Sequence, residues 1–311
     1  MFDYKNKAYW LFVSPIWLVP IIIFFLLKMP DLLNVPFGSY YVVYFLVFSA
    51  FIRLPHFLST YMLMHQKNTF NYLMERKIKY IFIPLLLFLS VLYSYRLGSD
   101  SRRVVTALVT TFGFSHICFQ AMGITLLIDK LQIKTVNLIK IFYLSLFFLN
   151  LLIFKLPRVR VNIDINYIYA FEAAVILLFL YLCFLLKNSL STLFYLITTS
   201  IFLFPMSYFT SEKFYFLFYD FHHSLNYIAL TFFLFRNKES NSYHFKKYFL
   251  LIVFSFVLLV FFSAHGGFSF LVKNKGEWFF LGFFTLHYYF DTIIWRDRTL
   301  NFKSELRVKP I

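Results

Sequence analysis

Four long apolar stretches of this chain each carry histidine: Arg53-Leu-Pro-His56-Phe-Leu-Ser-Thr60, Ser115-His116-Ile-Cys-Phe-Gln120, Asp220-Phe-His222-His223-Ser-Leu-Asn226 and Leu286-His287-Tyr-Tyr-Phe-Asp291. Ionisable residues in apolar surroundings are costly to bury, and those that persist mark metal, proton or substrate sites. A neutral imidazole is a good ligand for a divalent metal and a poor resident of hydrocarbon without a partner. Each segment also places a polar residue four positions after its histidine, namely Thr60, Gln120, Asn226 and Asp291. On a helix that spacing puts both side chains on one face, one turn apart. There a carboxylate or amide completes a ligand set or holds the imidazole N–H. The candidate metal ligands are therefore His56, His116, His222, His223 and His287, with Asp291, Gln120, Asn226 and Arg53 as candidate catalytic groups beside them.

Some roles stay open at this level. His222 and His223 lie about 100° apart on a helix, so one faces a centre while its neighbour meets an adjacent helix, or both ligate if there are two metals. Asp291 suits a ligand or the hydrogen-bond partner of a ligand histidine equally well. Arg53, one turn from His56, suits an ion pair with Glu172 or Asp291, or a hold on an anionic substrate group. Asp220 reads as solvated or ion-paired. His65, His244 and His265 fall outside the set, and Pro55 is expected to kink its helix beside His56.

The elements that must carry these residues are membrane helices. Of the 311 residues 60% are hydrophobic and only 14% charged, a balance that excludes an ordinary soluble enzyme. About 20 apolar residues cross a bilayer as a helix. On that basis about ten spans are expected: residues 9–27, 40–64, 78–95, 104–128, 136–154, 167–186, 189–206, 215–235, 248–264 and 277–294. Residues 1–311 then form a single all-α transmembrane helix bundle. The first span lacks a small-residue cleavage site after Leu27 and reads as a retained helix. Cys118 and Cys183 both fall inside apolar runs, where they read as packing residues rather than a disulfide or a metal-binding pair.

The net charge of +16 would suggest nucleic acid in a soluble chain, but here it suits loops facing anionic lipid, and no nucleic-acid partner is expected. With both termini cytoplasmic, 18 of the 30 Lys and Arg residues fall in cytoplasmic segments and 10 in outer ones; Arg53 and Lys140 lie within spans, Lys140 near enough to an end to snorkel. All four histidine-bearing spans then run from outside to inside. Their histidines precede the next charged residue by similar lengths, roughly 14–21 Å at the helical rise, which sets them in one layer near the bilayer centre.

Membrane helices with clustered histidines and the adjacent pair His222-His223 resemble the histidine-rich integral-membrane non-haem iron oxygenases, among them lipid desaturases, hydroxylases and carotene-cleaving oxygenases. The HxxxH and HxxHH boxes of desaturases are absent, so no family residue roles transfer. The resemblance implies an oxidoreductase that uses one or two iron ions, a lipid, fatty acyl or isoprenoid substrate and an electron donor; the expected location is a bacterial inner membrane. Two other readings use the same residues: a haem protein with axial histidines, and a proton-coupled transporter or lipid-linked glycan flippase. Topology is directly testable. A reporter fused after Lys309 is expected to report the cytoplasmic side, and an outer location would remove the basis of the common histidine layer.

Overall fold

The computed structural model describes residues 56, 74–94, 97–129, 131–157, 161–204, 222–227, 250, 253–254, 257, 282 and 285–291. Among the described residues the protein is all-helical, with 89% in helix and no strand. The spans expected over 9–27 and most of those over 40–64, 215–235, 248–264 and 277–294 lie outside these residues, as do Arg53, Asp220, His65, His244, His265 and both chain ends.

Five helices are described in full: α1 (Ile83–Ser94), α2 (Ser99–Ile128), α3 (Ile133–Asn150), α4 (Ile165–Leu185) and α5 (Leu190–Leu203). Three helical stretches are long and apolar enough to cross a membrane, Ser99–Leu126, Ile133–Phe154 and Ile165–Leu185, and the protein is accordingly a membrane protein. The boundaries follow local chemistry. Gly98 enters α2 at φ 100°, a left-handed conformation that a side chain would strain. Asp164 caps α4 by accepting from the Asn166 amide at 2.9 Å. Asp129, at the end of α2, accepts the Thr192 hydroxyl at 2.7 Å and so sets a carboxylate at the N-terminal turn of α5.

Two π-helical turns interrupt the α pattern, and prolines lie beside both. Leu151–Lys155 extends α3 until Pro157, which cannot continue a helix. Ile78–Phe82 precedes α1, and the Ile83 amide reaches back five residues to the Ile78 carbonyl. The next bond in that register would run from residue 84 to Lys79, but Pro84 has no N–H. The Tyr289 hydroxyl donates to the Lys79 carbonyl instead, at 2.8 Å.

The chain divides into two compact units, one containing Tyr93–His223 and the other drawn from Ser14–Leu92 and Ser224–Val308. In the first, α3 packs against α2 and α4, while α2 also packs against α5. The α3 residues Ile139, Phe142, Tyr143, Leu146 and Leu149 recur at three- and four-residue steps and are all fully buried. Cys118 of α2 joins the same core as a free thiol, while Cys183 is half-buried. Other faces are exposed and equally apolar, as at Val104, Leu108 and Phe112 of α2 and Ile176, Leu180 and Phe184 of α4. Such stripes would promote association in water and are stable against lipid tails. Lys140 is exposed in the middle of α3. In the second unit, Gly282 lies so close to Phe88 of α1 that an added Cβ would stand 2.7 Å from the ring.

Several hydroxyls of the first unit find acceptors within their own helix. Thr198, Thr199 and Ser200 all donate to carbonyls within α5, and Thr125 donates to Ala121 within α2. Tyr143 bridges α3 to both helices, with its hydroxyl 2.8 Å from Thr125 Oγ1 and 2.9 Å from Thr199 Oγ1. Removal of this hydroxyl leaves both threonines their own backbone acceptors. Tyr143→Phe is therefore expected to cost only about 0.5–1.5 kcal/mol in unfolding measurements in detergent, whereas Tyr143→Ala, which also empties core volume, costs about 3–5 kcal/mol.

Candidate metal centre

The second unit holds His56, Tyr227, His287 and Asp291, all at most 1% exposed. His287 and Asp291 lie in the helical residues 285–291, Tyr227 in the helical residues 222–227, and His56 is itself helical. The four-residue step from His287 to Asp291 stacks their side chains on one face, and His287 Nε2 lies 3.7 Å from Asp291 Oδ2. His287 Nε2 is also 2.8 Å from His56 Nε2, with the two rings edge-on at 83°. The Tyr227 hydroxyl donates to Asp291 Oδ1 at 2.9 Å, and its ring meets His56 edge-on with centroids 4.3 Å apart.

Two imidazole nitrogens at 2.8 Å do not face each other with bare lone pairs. Either one ring donates its Nε2–H to the other, or both lone pairs point at a cation between them. Metal–ligand bonds of about 2.0–2.2 Å put ligands at right angles roughly 3 Å apart and tetrahedral ligands roughly 3.4 Å apart. The His56–His287 separation matches the right-angled arrangement, whereas Asp291 Oδ2 lies 3.7 Å from His287 Nε2 and does not gather with both histidines around one point. Imidazole and carboxylate, free of thiolate, are ligand types that suit iron, zinc, copper or manganese.

The first unit holds a second histidine pair. His116 of α2 and His223 are buried with ring centroids 4.9 Å apart and planes at 88°. Gln120 follows His116 by one turn, and its buried Nε2 has no hydrogen-bond partner among the described residues. His222 faces elsewhere: its ring stacks on Phe202 of α5 at 5.3 Å and 19°. The neighbouring histidines thus serve different contacts, as their 100° separation on a helix requires. Asn226 is buried, as is Glu172 of α4, the acid set beside Arg53 in the sequence reading.

Of the expected residues, His56, His287 and Asp291 come together in one unit and His116, His223 and Gln120 belong to the other. Tyr227 is the member that sequence reasoning passed over. Its signal was present, since it follows His223 by four residues, the same step that singled out the other polar partners; among 23 tyrosines it carried no distinction. Compared with known proteins, the chain matches no family model, no curated protein and no solved structure.

The stacking of His222 on Phe202 generates a direct comparison. His222→Phe, which keeps a flat ring against Phe202, is expected to retain the wild-type metal content in detergent. Loss of metal equal to that of His287→Ala would instead make His222 a ligand.

Proposed function

We propose that the protein is a membrane-bound, metal-dependent oxidoreductase in which His56 and His287 ligate non-haem iron, Asp291 lies beside His287 to hold its imidazole, and His116 and His223 are available for a second ion. The observation that carries this reading is the pair of buried imidazole nitrogens 2.8 Å apart with a carboxylate oxygen 3.7 Å from one of them. Iron at such a site supplies activation of O₂. A lipid, fatty acyl or isoprenoid substrate is supported by helices whose exposed apolar faces suit lateral entry of a greasy molecule. Hydroxylation of one C–H bond then consumes one O₂, two protons and two electrons from an external donor, and gives the alcohol and water. About ten spans, both termini in the cytoplasm and a bacterial inner membrane complete the proposal. Haem is not favoured at His56 and His287, because nitrogens 2.8 Å apart leave no space for a macrocycle between them.

One observation favours a second reading. His56, His287, Asp291 and Tyr227 form a run of close polar contacts in an apolar bundle, which suits proton movement in a proton-coupled transporter or lipid-linked glycan flippase. Metal analysis and optical spectra of the detergent-purified protein, expressed with iron and purified without chelator, separate the two. The oxidoreductase reading expects near-stoichiometric iron without an intense Soret band, and its loss in His56→Ala and His287→Ala while both variants stay folded. Wild-type protein that consistently carries no transition metal would overturn it and promote the transporter.

A further inference from the structure

Residues 285–291 form one helical segment that makes contacts on two opposite faces. His287 and Asp291 share one face, where His287 meets His56 and Asp291 meets Tyr227. Tyr289 stands two residues from each of them, about 200° around the helix, and so turns the other way. Its hydroxyl donates to the Lys79 carbonyl at 2.8 Å, in the π-helical turn that precedes α1. A second contact joins the same two parts of the chain, since Gly282 lies so close to Phe88 of α1 that an added Cβ would stand 2.7 Å from the ring. Lys79 and Phe88 meet Tyr289 and Gly282 in reverse chain order, so the two parts run antiparallel.

We propose that Tyr289 is a positioning residue: its bond to the π-turn sets the rotation at which His287 and Asp291 face His56 and Tyr227. The causes run back to Pro84. In an α-helix its ring would collide with the Tyr80 carbonyl four residues earlier, and the wider π-turn moves that carbonyl away. The π register then assigns the Lys79 carbonyl to residue 84, which has no N–H, and Tyr289 brings a donor from another element. Apolar contact is non-directional and holds a helix weakly against rotation, whereas a hydrogen bond weakens steeply with distance and angle. Gly282 supplies the close approach and Tyr289 the direction. At roughly 5–6 Å from the helix axis, a rotation of about 30° moves a side-chain atom by about 3 Å, enough to part the His56 and His287 nitrogens. The inference rests on the reading of the His56–His287 pair as the functional site, and it holds whether that pair binds a metal or passes a proton.

The test uses the full chain in lipid, stripped of metal, with isotope-labelled nitrogen in the histidine rings alone. Solid-state NMR correlates nitrogens that lie close together, and the His56–His287 cross-peak is identified by its loss in His287→Gln. The wild type is expected to show it. Tyr289→Phe, which loses only the hydroxyl, is expected to lose the cross-peak while its helix content by circular dichroism stays at the wild-type value. Pro84→Ala added to Tyr289→Phe returns a backbone N–H to the turn without re-aiming the segment, and the cross-peak is expected to stay absent. Its return would mean that the hydroxyl serves the turn alone, and overturns the inference. A wild-type cross-peak in folded Tyr289→Phe, or none in the wild type, overturns it as well. If Tyr289→Phe does not fold, Gly282→Ala decides: its methyl forces the segments apart at Phe88 and is expected to weaken the cross-peak, and an unchanged peak overturns the inference. Iron uptake is read separately, so wild type with the cross-peak and no iron overturns the metal reading and leaves this inference standing.

Discussion

A polar atom inside hydrocarbon has no water to turn to, and its partner must be built into the protein. That constraint organises this structure at every level. Backbone groups find partners within helices. Where Pro84 removes a donor, a tyrosine hydroxyl from residues 285–291 supplies one to the Lys79 carbonyl. Threonine and serine hydroxyls on α5 fold back on their own carbonyls, and Tyr143 ties three helices through two threonines. Over much of their surface the helices present Phe, Leu and Ile to each other and to the outside.

Histidine and aspartate cannot be accommodated so locally. An imidazole has two nitrogens pointing in opposite directions, and a carboxylate has two oxygens, so each needs partners from more than its own helix. His287 meets Asp291 within one helical segment and His56 from another, while Asp291 is completed by Tyr227. The outcome is a concentration of donors and acceptors that lipid-facing helices do not otherwise require. Hydrophobic residues of similar volume would pack there with less desolvation to offset. Their absence from these positions is what turns a packing question into a chemical one.

The same reasoning separates the histidines by role. His222 stacks its ring face on Phe202, whereas the rings of His116 and His223 meet with their planes perpendicular. Residue type does not distinguish these arrangements; the angle between each ring and its neighbour does.

The helical spans were legible in the sequence because a bilayer imposes length and composition together. The stretches expected at 78–95, 104–128, 136–154, 167–186 and 189–206 correspond to the π-turn with α1, to α2, to α3 with its π-turn, to α4 and to α5. Their ends were less legible: α2 starts at Ser99, five residues before its apolar run, since a helix continues through charged residues such as Asp100 and Arg103 that hydropathy discards. The i to i+4 rule also brought out His287 with Asp291, because a helix fixes that geometry by itself. What the sequence could not supply is any contact between helices. That His56 reaches His287, that His223 rather than His222 turns to His116, and that Tyr227 completes Asp291 all depend on the rotation and depth of one helix against another. Those quantities are set by the sum of many small packing contacts, and no short sequence window contains them.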